Sequence, residues 1–346
     1  MSKLSSLKVA CLGAGYFSQF HLDSWHRINS VELVGVCDQD IEKARNTGIA
    51  AFDRLEHMLA ETTPDVLDII VPPTEHATAI RGAIAFGVAQ IICQKPFCLN
   101  LHEAAAILEE ANVAGSAIVV HENFRFQPWY RTIKASMIAG DIGEVLQTTF
   151  RLRPGDGQGP NAYLDRQAYF QKMPRFLVHE TAVHFIDTFR FLLGDPSSVY
   201  ADLRQVNPVI SGEDAGYILF EYANGTRGMF DGNRHLDHAS DNTRRTMGEA
   251  LIEGNLGTLN LLGDGSVHHR RFGTTSSEEI LPPDTRPGFG GDCVHALQTH
   301  VVSHLTTGTE IENRAQDYLR VLEIEEAVYA SSEQGRKIML GGSDTR

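Results

Sequence analysis

The chain lacks a long apolar run, a paired-cysteine motif and an excess of positive charge, and each lack removes a class of function. Its longest apolar stretches, 66–73 and 88–93, are strand-sized, well short of the roughly 20 residues that a membrane helix needs. The five cysteines (Cys11, Cys37, Cys93, Cys98 and Cys293) form no CxxC and make an odd number, which argues against a disulfide scaffold or structural zinc. Against 44 acidic residues stand only 30 Lys and Arg, for a net charge of −14. That balance disfavours nucleic acid, whose phosphates require a basic footprint, and anionic lipid. The leading MSKLSSLKVACLGAG has neither the apolar core nor the cleavage site of a secretory signal, so the chain reads as cytoplasmic.

What is present has a definite rhythm. A length of 346 residues is too great for one core and predicts two domains, 1–124 and 125–346. In the first, apolar runs at 8–12, 31–38, 66–71, 88–93 and 117–121 read as strands. Amphipathic stretches at 16–28, 41–48, 55–61, 76–86 and 101–114 lie between them. Continuous apolar strands separated by helices are the pattern of a doubly wound parallel sheet covered on both faces, the Rossmann arrangement. Beyond residue 125 the strand candidates at 144–153, 199–204, 215–221, 226–233, 249–253 and 258–262 follow one another with few helices between. Asn224-Gly225 is a hairpin signal among them. The second domain is therefore expected to be α/β with an open, mainly antiparallel sheet, carrying long helices near 176–193 and 315–333. The Gly-rich segment 153–165 reads as a long loop.

The strand at 8–12 leads into Gly13-Ala14-Gly15-Tyr16-Phe17-Ser18 and then a helix. Glycines here allow a tight turn and let the backbone of Gly13, Gly15, Tyr16 and Phe17 approach a pyrophosphate at the helix N-terminus. The second strand ends in Asp38, twenty residues after Ser18, where a carboxylate can hydrogen-bond the ribose hydroxyls and repel a 2′-phosphate. The expected cofactor is NAD, with NADP disfavoured.

Several segments carry a family resemblance: GAGYFSQFH, PDVLDIIVPPTEHA, AIAFGVAQIICQKPF, DIGEV, HETAVHFIDTFRFLLG and LEIEEAVYASSEQGRKIML. In content, order and spacing the chain resembles the Gfo/Idh/MocA oxidoreductases, named after glucose–fructose oxidoreductase and inositol dehydrogenase. The resemblance implies a second-domain sheet that forms an oligomer interface, here in a homodimer or homotetramer. It also implies that Pro72, Thr74 and His76 pass beneath the nicotinamide half of the cofactor, unless His76 instead caps its helix. Two departures stand out. Gln94-Lys95-Pro96 replaces the usual Glu-Lys-Pro, and Glu180 replaces the usual Asp four residues before His184.

Oxidising an alcohol requires a base for the hydroxyl proton. Lys95, placed after a strand at the ligand-binding edge of the sheet, can be that base beside a cationic nicotinamide; without the motif it reads equally well as a surface lysine. Gln94 beside it removes the charge that the family glutamate would supply. On the long helix Glu180 and His184 lie four residues apart on one face, so the carboxylate can support the imidazole. Asp187 shares that face and reads as structural. His179 is five residues from His184, so HETAVH is not the zinc-binding HExxH and no metal is expected. Asn123 and Arg125 can reach cofactor or substrate. His179, Arg153, Tyr163 and Asp165 are softer candidates for sugar hydroxyls, for which loop solvation is an equal explanation. The leading expectation is an NAD-dependent dehydrogenase acting on a secondary alcohol of a cyclic polyol, sugar or sugar derivative. An NAD-using glycosidase or epimerase with transient oxidation, and a non-catalytic NAD-binding regulator, are the alternatives.

Overall fold

The computed structural model describes residues 6–341, and the chain divides into two compact units. The first takes the described part of Met1–Asn123 together with Val294–Leu322; the second takes Phe124–Cys293 and the described part of Glu323–Arg346. The residues read above as lacking a secretory signal lie partly outside the described range.

In the first unit six parallel strands run in the order β3-β2-β1-β4-β5-β6. They are β1 (Leu7–Leu12), β2 (Val31–Cys37), β3 (Ala51–Phe52), β4 (Val66–Ile69), β5 (Gln90–Gln94) and β6 (Ala117–His121). The helices α1 (Ser18–Arg27), α2 (Ile41–Arg45), α3 (Leu55–Thr62), α4 (Pro73–Ala85) and α5 (Leu101–Ala114) connect them. Strands β4 and β5 are buried at every position, which is why apolar residues dominate them, with Asp68 in β4 and Gln90 and Gln94 at the ends of β5 as the exceptions. Helix ends follow local chemistry. Pro73 starts α4, where a missing N–H costs nothing. Asn100 caps α5 by accepting from Glu103 N at 3.0 Å, and Gly115 ends it in the left-handed region.

The second unit is built on a nine-stranded sheet. Its members are β7 (Val145–Leu152), β8 (Ser198–Arg204), β9 (Ala215–Glu221), β10 (Arg227–Asn233), β11 (Gly248–Gly254), β12 (Gly257–Leu261), β13 (Val267–Arg271), β14 (Glu278–Leu281) and β15 (Ile338–Met339). The order is β14-β13-β12-β11-β7-β10-β9-β8-β15. Every pair is antiparallel except β7–β10. Asn224-Gly225 does turn β9 into β10: Gly225 has φ +93°, and Gly225 N donates to Tyr222 O at 3.0 Å. Helices α6 (Pro128–Ala139) and α7 (Val183–Leu193) belong to this unit. The expected helix over 176–193 is regular only from Val183, because Leu177–Ala182 forms a π-helical turn. Glu213 Oε1 accepts from Phe176 N and Val178 N at its start.

The segment Val294–Leu322, expected with the second domain, packs with the first unit instead. Gln298, on α8 (Cys293–Thr307), donates to Asp68 in β4 at 3.3 Å. Val120 N on β6 donates to Asn313 O at 2.9 Å. A further helix, α9, spans Ala315–Gln334. Among the described residues no helix is long and apolar enough to cross a membrane. All five cysteines are buried; burial, with Asp38 and Glu103 respectively, pushes the Cys37 and Cys98 thiols up to about 12. Thiols so shifted stay protonated and behave as small apolar groups.

Candidate active site

The first unit gathers one cluster at the carboxyl ends of its strands. Gly13 has φ +109°, and a Cβ there would stand 2.7 Å from the Ile70 carbonyl oxygen. No side chain fits that approach. At Gly15 a Cβ would meet nothing within 4 Å, so the missing side chain leaves open space against the backbone. Helix α1 follows with no side-chain cap and no acidic residue in its first turn, which suits a pyrophosphate. Ser18, standing where a third glycine is usual, donates to Gly15 O at 2.6 Å and is buried. Asp38 ties β2 to this turn: one oxygen accepts from Ala14 N at 2.8 Å and the other from Asp40 N at 2.9 Å. Its half-buried carboxylate retains acceptor capacity for ribose hydroxyls. Tyr16 is exposed, as are Pro72 and Thr74 at the start of α4. These features fit a dinucleotide.

Two expectations in this unit need correction. His76 does not cap its helix, which begins after Pro72 with no side-chain cap. It is fully buried, with Nε2 2.9 Å from Val71 O and Nδ1 accepting from Cys98 N at 3.3 Å. Burial lowers its pKa to about 4, so it is a neutral brace between the chain leaving β4 and the chain beyond Pro96. Gln94 is not simply a neutral neighbour of Lys95. Its Oε1 accepts from Lys95 N at 3.2 Å and its Nε2 lies 2.7 Å from His21 Nε2. Lys95 itself is half-buried just beyond β5. Asn123, just beyond β6, is buried with its Oδ1 unsatisfied.

The second cluster lies within the second unit, around the π turn and α7. His184 is nearly buried, with its ring stacked on Phe124 at 3.9 Å between centroids and 5° between planes. Glu180 accepts from Arg234 Nη1 at 3.2 Å and from Thr181 Oγ1 at 2.5 Å. Glu180 lies in the π turn and His184 in the first turn of α7, four residues on. His179 Nδ1 lies 2.6 Å from Glu325 Oε1. Asp187 holds Arg125 through two bonds, Nε at 2.8 Å and Nη2 at 2.5 Å, so Arg125 is a bidentate partner of α7.

The loop candidates are braces as well. Buried Arg153 donates to Asp231 Oδ2 at 2.5 Å and to the carbonyls of Leu152 and Asp231. Tyr163 is buried and donates to Asp156 Oδ1 at 3.1 Å; Asp165 is exposed. Sequence reasoning missed the organiser of this loop. Arg234 is buried, reaches Asp156 through Nε and Nη2 at 3.1 and 2.9 Å, and joins it to Glu180 and Thr181. Burial works to raise the Asp156 carboxyl, but Arg234 and Arg166 overcome it and hold it below its ordinary value. No local pattern around Arg234 signals these partners, which lie 53 to 78 residues away.

Comparison with known proteins agrees with both halves of this picture. Residues 7–122 match the profile described as oxidoreductase family, NAD-binding Rossmann fold, and residues 130–260 match the GFO/IDH/MocA C-terminal domain. The chain is 33% identical to D-apiose dehydrogenase of Paraburkholderia graminis, over 96% of its length and 89% of that protein. It is 28% identical to D-apiose dehydrogenase of Rhizobium rhizogenes, covering 98% and 99%. The crystal structure of an oxidoreductase from Agrobacterium radiobacter in complex with NAD+, L-tartaric acid and magnesium superposes with a TM-score of 0.87. Those two chains are 26% identical, and the match covers 97% of this one and 98% of that one. With the glycine turn, Asp38 and the six-stranded parallel sheet in place, the chain binds NAD and belongs to the Gfo/Idh/MocA oxidoreductase family.

Proposed function

We propose that this chain is a cytoplasmic NAD-dependent dehydrogenase that oxidises a hydroxyl-bearing carbon of a sugar or cyclic polyol. The observation that carries the reading is Lys95 at the carboxyl end of β5, on the same parallel sheet as the Gly13 turn and Asp38. Near-full-length relatives named D-apiose dehydrogenase support the substrate class. Gly13, Gly15 and the α1 amino end would hold the pyrophosphate and Asp38 the ribose. Asn123, whose buried Oδ1 lacks a partner, would serve the nicotinamide half. Bound NAD supplies a hydride acceptor. Lys95 takes the hydroxyl proton in oxidation and, as ammonium, polarises the carbonyl in reduction. His184, held flat on Phe124, orients a substrate hydroxyl or relays its proton. Glu180 keeps the π turn polar while anchored by Arg234.

The test is NADH formation across D-apiose, other aldoses, inositols and anhydrosugars with NAD and with NADP. Steady NADH release with a member of this set supports the proposal. Substrate conversion without net NADH favours transient oxidation of the glycosidase or epimerase kind. NAD binding with no conversion of any of them contradicts both.

We also propose a homodimer or homotetramer assembled through the nine-stranded sheet. The β-ladder aligns Tyr200, Leu219, Met229, Thr149 and Leu251 in one row across five strands. Tyr200 and Leu219 are 39% and 41% exposed and Tyr217 is 42% exposed, so this face is apolar and open, as an interface requires.

A further inference from the structure

The buried chain of side chains beneath Lys95 has no part in the proposal above. Asp68 sits in β4, fully buried, where every other side chain of the strand is apolar. Three donors converge on its Oδ2: His21 Nδ1 at 2.7 Å, Trp25 Nε1 at 2.8 Å and Gln298 Nε2 at 3.3 Å. Indole and amide N–H groups donate only, so Oδ2 is an acceptor and His21 Nδ1 carries the hydrogen towards it. The other ring nitrogen of His21, also fully buried, faces Gln94 Nε2 at 2.7 Å. In a neutral imidazole that nitrogen is a bare acceptor, which the Gln94 amide satisfies by donating. Gln94 Oε1 then accepts from Lys95 N at 3.2 Å. Every donor along the line meets an acceptor.

We propose that Asp68, His21 and Gln94 form a positioning relay that fixes the backbone at Lys95, and that it requires an amide at position 94. The inference rests on Lys95 as the proton-handling group. A carboxylate at 94 would set lone pair against lone pair at His21 Nε2, so the ring must bind a proton to admit it. Gln94→Glu therefore creates an imidazolium between two carboxylates, and the added negative charge is offset one residue away, at His21. The expectation that Gln94 acts by removing charge next to Lys95 is thereby replaced: the amide matches the tautomer that Asp68 imposes. Among the described residues, the polar and titratable groups facing His21 and Asp68 come from each packed element. They are Cys11 on β1, Cys93 and Gln94 on β5, His121 on β6 with its ring 4.1 Å from that of His21, Gln298 on α8, and Trp25 on α1 itself.

The test reads the imidazole directly. Two-bond proton–nitrogen NMR of the whole protein at pH 7.5, with the His21 signal assigned by its loss in His21→Gln, should show a neutral ring carrying hydrogen on Nδ1. Gln94→Glu should show a cationic ring at the same pH. A cationic His21 in the unaltered protein, or a neutral one in Gln94→Glu, overturns the relay. Asp68→Asn should lower kcat by about 100-fold, the scale of an ångström of misplacement, with KM and NAD affinity within about threefold, and Asp68→Glu should restore part of it. Equal loss in kcat and NAD affinity would overturn positioning in favour of a folding role. Should Asp68→Asn not fold, the spectra alone still decide. Lys95→Ala separates the two readings: if it turns over normally, the proton-handling assignment fails while the His21 spectrum stands.

Discussion

His76 offers a stability prediction that can be worked from its surroundings. Its ring is sealed between Val71 O and Cys98 N, with Nδ1 used as an acceptor. Protonation would turn that acceptor into a second donor facing an N–H, in a site without water access. Accordingly its pKa falls from 6.5 to about 4. For a group whose folded pKa is depressed, the stabilising contribution is complete above the unfolded value, here 6.5. It is lost as pH falls through the folded value, here about 4. Each pH unit in that window costs about 1.4 kcal/mol, and between pH 7.5 and 4.5 the loss attributable to His76 is about 2 to 3 kcal/mol. The assay is denaturant unfolding at both pH values for the unaltered chain and for His76→Gln, whose amide can still donate to Val71 O but does not titrate. The difference between the two proteins cancels other titrating groups. The unaltered protein should lose about 2 to 3 kcal/mol more than the variant. Parallel losses would refute the claim that His76 is held neutral by burial.

Other consequences follow from the same structure. NAD should bind more tightly than NADP by about 1–3 kcal/mol, roughly 5- to 150-fold, because a 2′-phosphate would approach Asp38. Fluorescence titration of both cofactors should also find the gap narrowed in Asp38→Ser, and equal affinities in the unaltered protein would contradict the assignment. Arg45 is paired with Glu42 at 2.6 Å, which competes with any phosphate for it. Arg234→Leu leaves Asp156 and Glu180 without their shared buried cation and should cost about 3–5 kcal/mol; chemical denaturation showing a loss below about 1 kcal/mol would count against it. Leu219→Arg, in the middle of the outward row of the large sheet, should convert the oligomer to a monomer near 38.2 kDa by light scattering. An unchanged mass would place the interface elsewhere.

Much of the first unit was legible because its strands are buried on both faces and so read as apolar runs between helices. The exceptions have physical causes. Strand β3 is two residues long, too short for any period, and β13, VHHRR, is a polar strand near the sheet edge with no apolar alternation. The Val294–Leu322 excursion depends on Gln298 and Asn313 finding partners almost 200 residues or more away in sequence. Among the site residues, the glycine turn and Asp38 were readable because their spacing is local. The π turn was not, since nothing in LVHETA separates it from α-helix. The Asp68 relay did leave one sign: a carboxylate inside the otherwise apolar run VLDIIV must be paired, because an unpaired buried charge is prohibitively costly. Its partners, 47 and 43 residues before it and 230 after it, could come only from the fold.

The account stands or falls on Lys95 as the group that handles the substrate proton in an NAD-dependent oxidation. The direct measurement compares the unaltered protein with Lys95→Ala, following NADH formation on a turned-over sugar or polyol and NAD binding by titration in parallel. The variant should bind NAD within about threefold of the unaltered protein, since the pyrophosphate and ribose contacts lie at Gly13, Gly15 and Asp38. Its turnover should fall by at least about 100-fold, as removal of a general base does. A Lys95→Ala protein that forms NADH at the original rate would contradict the account.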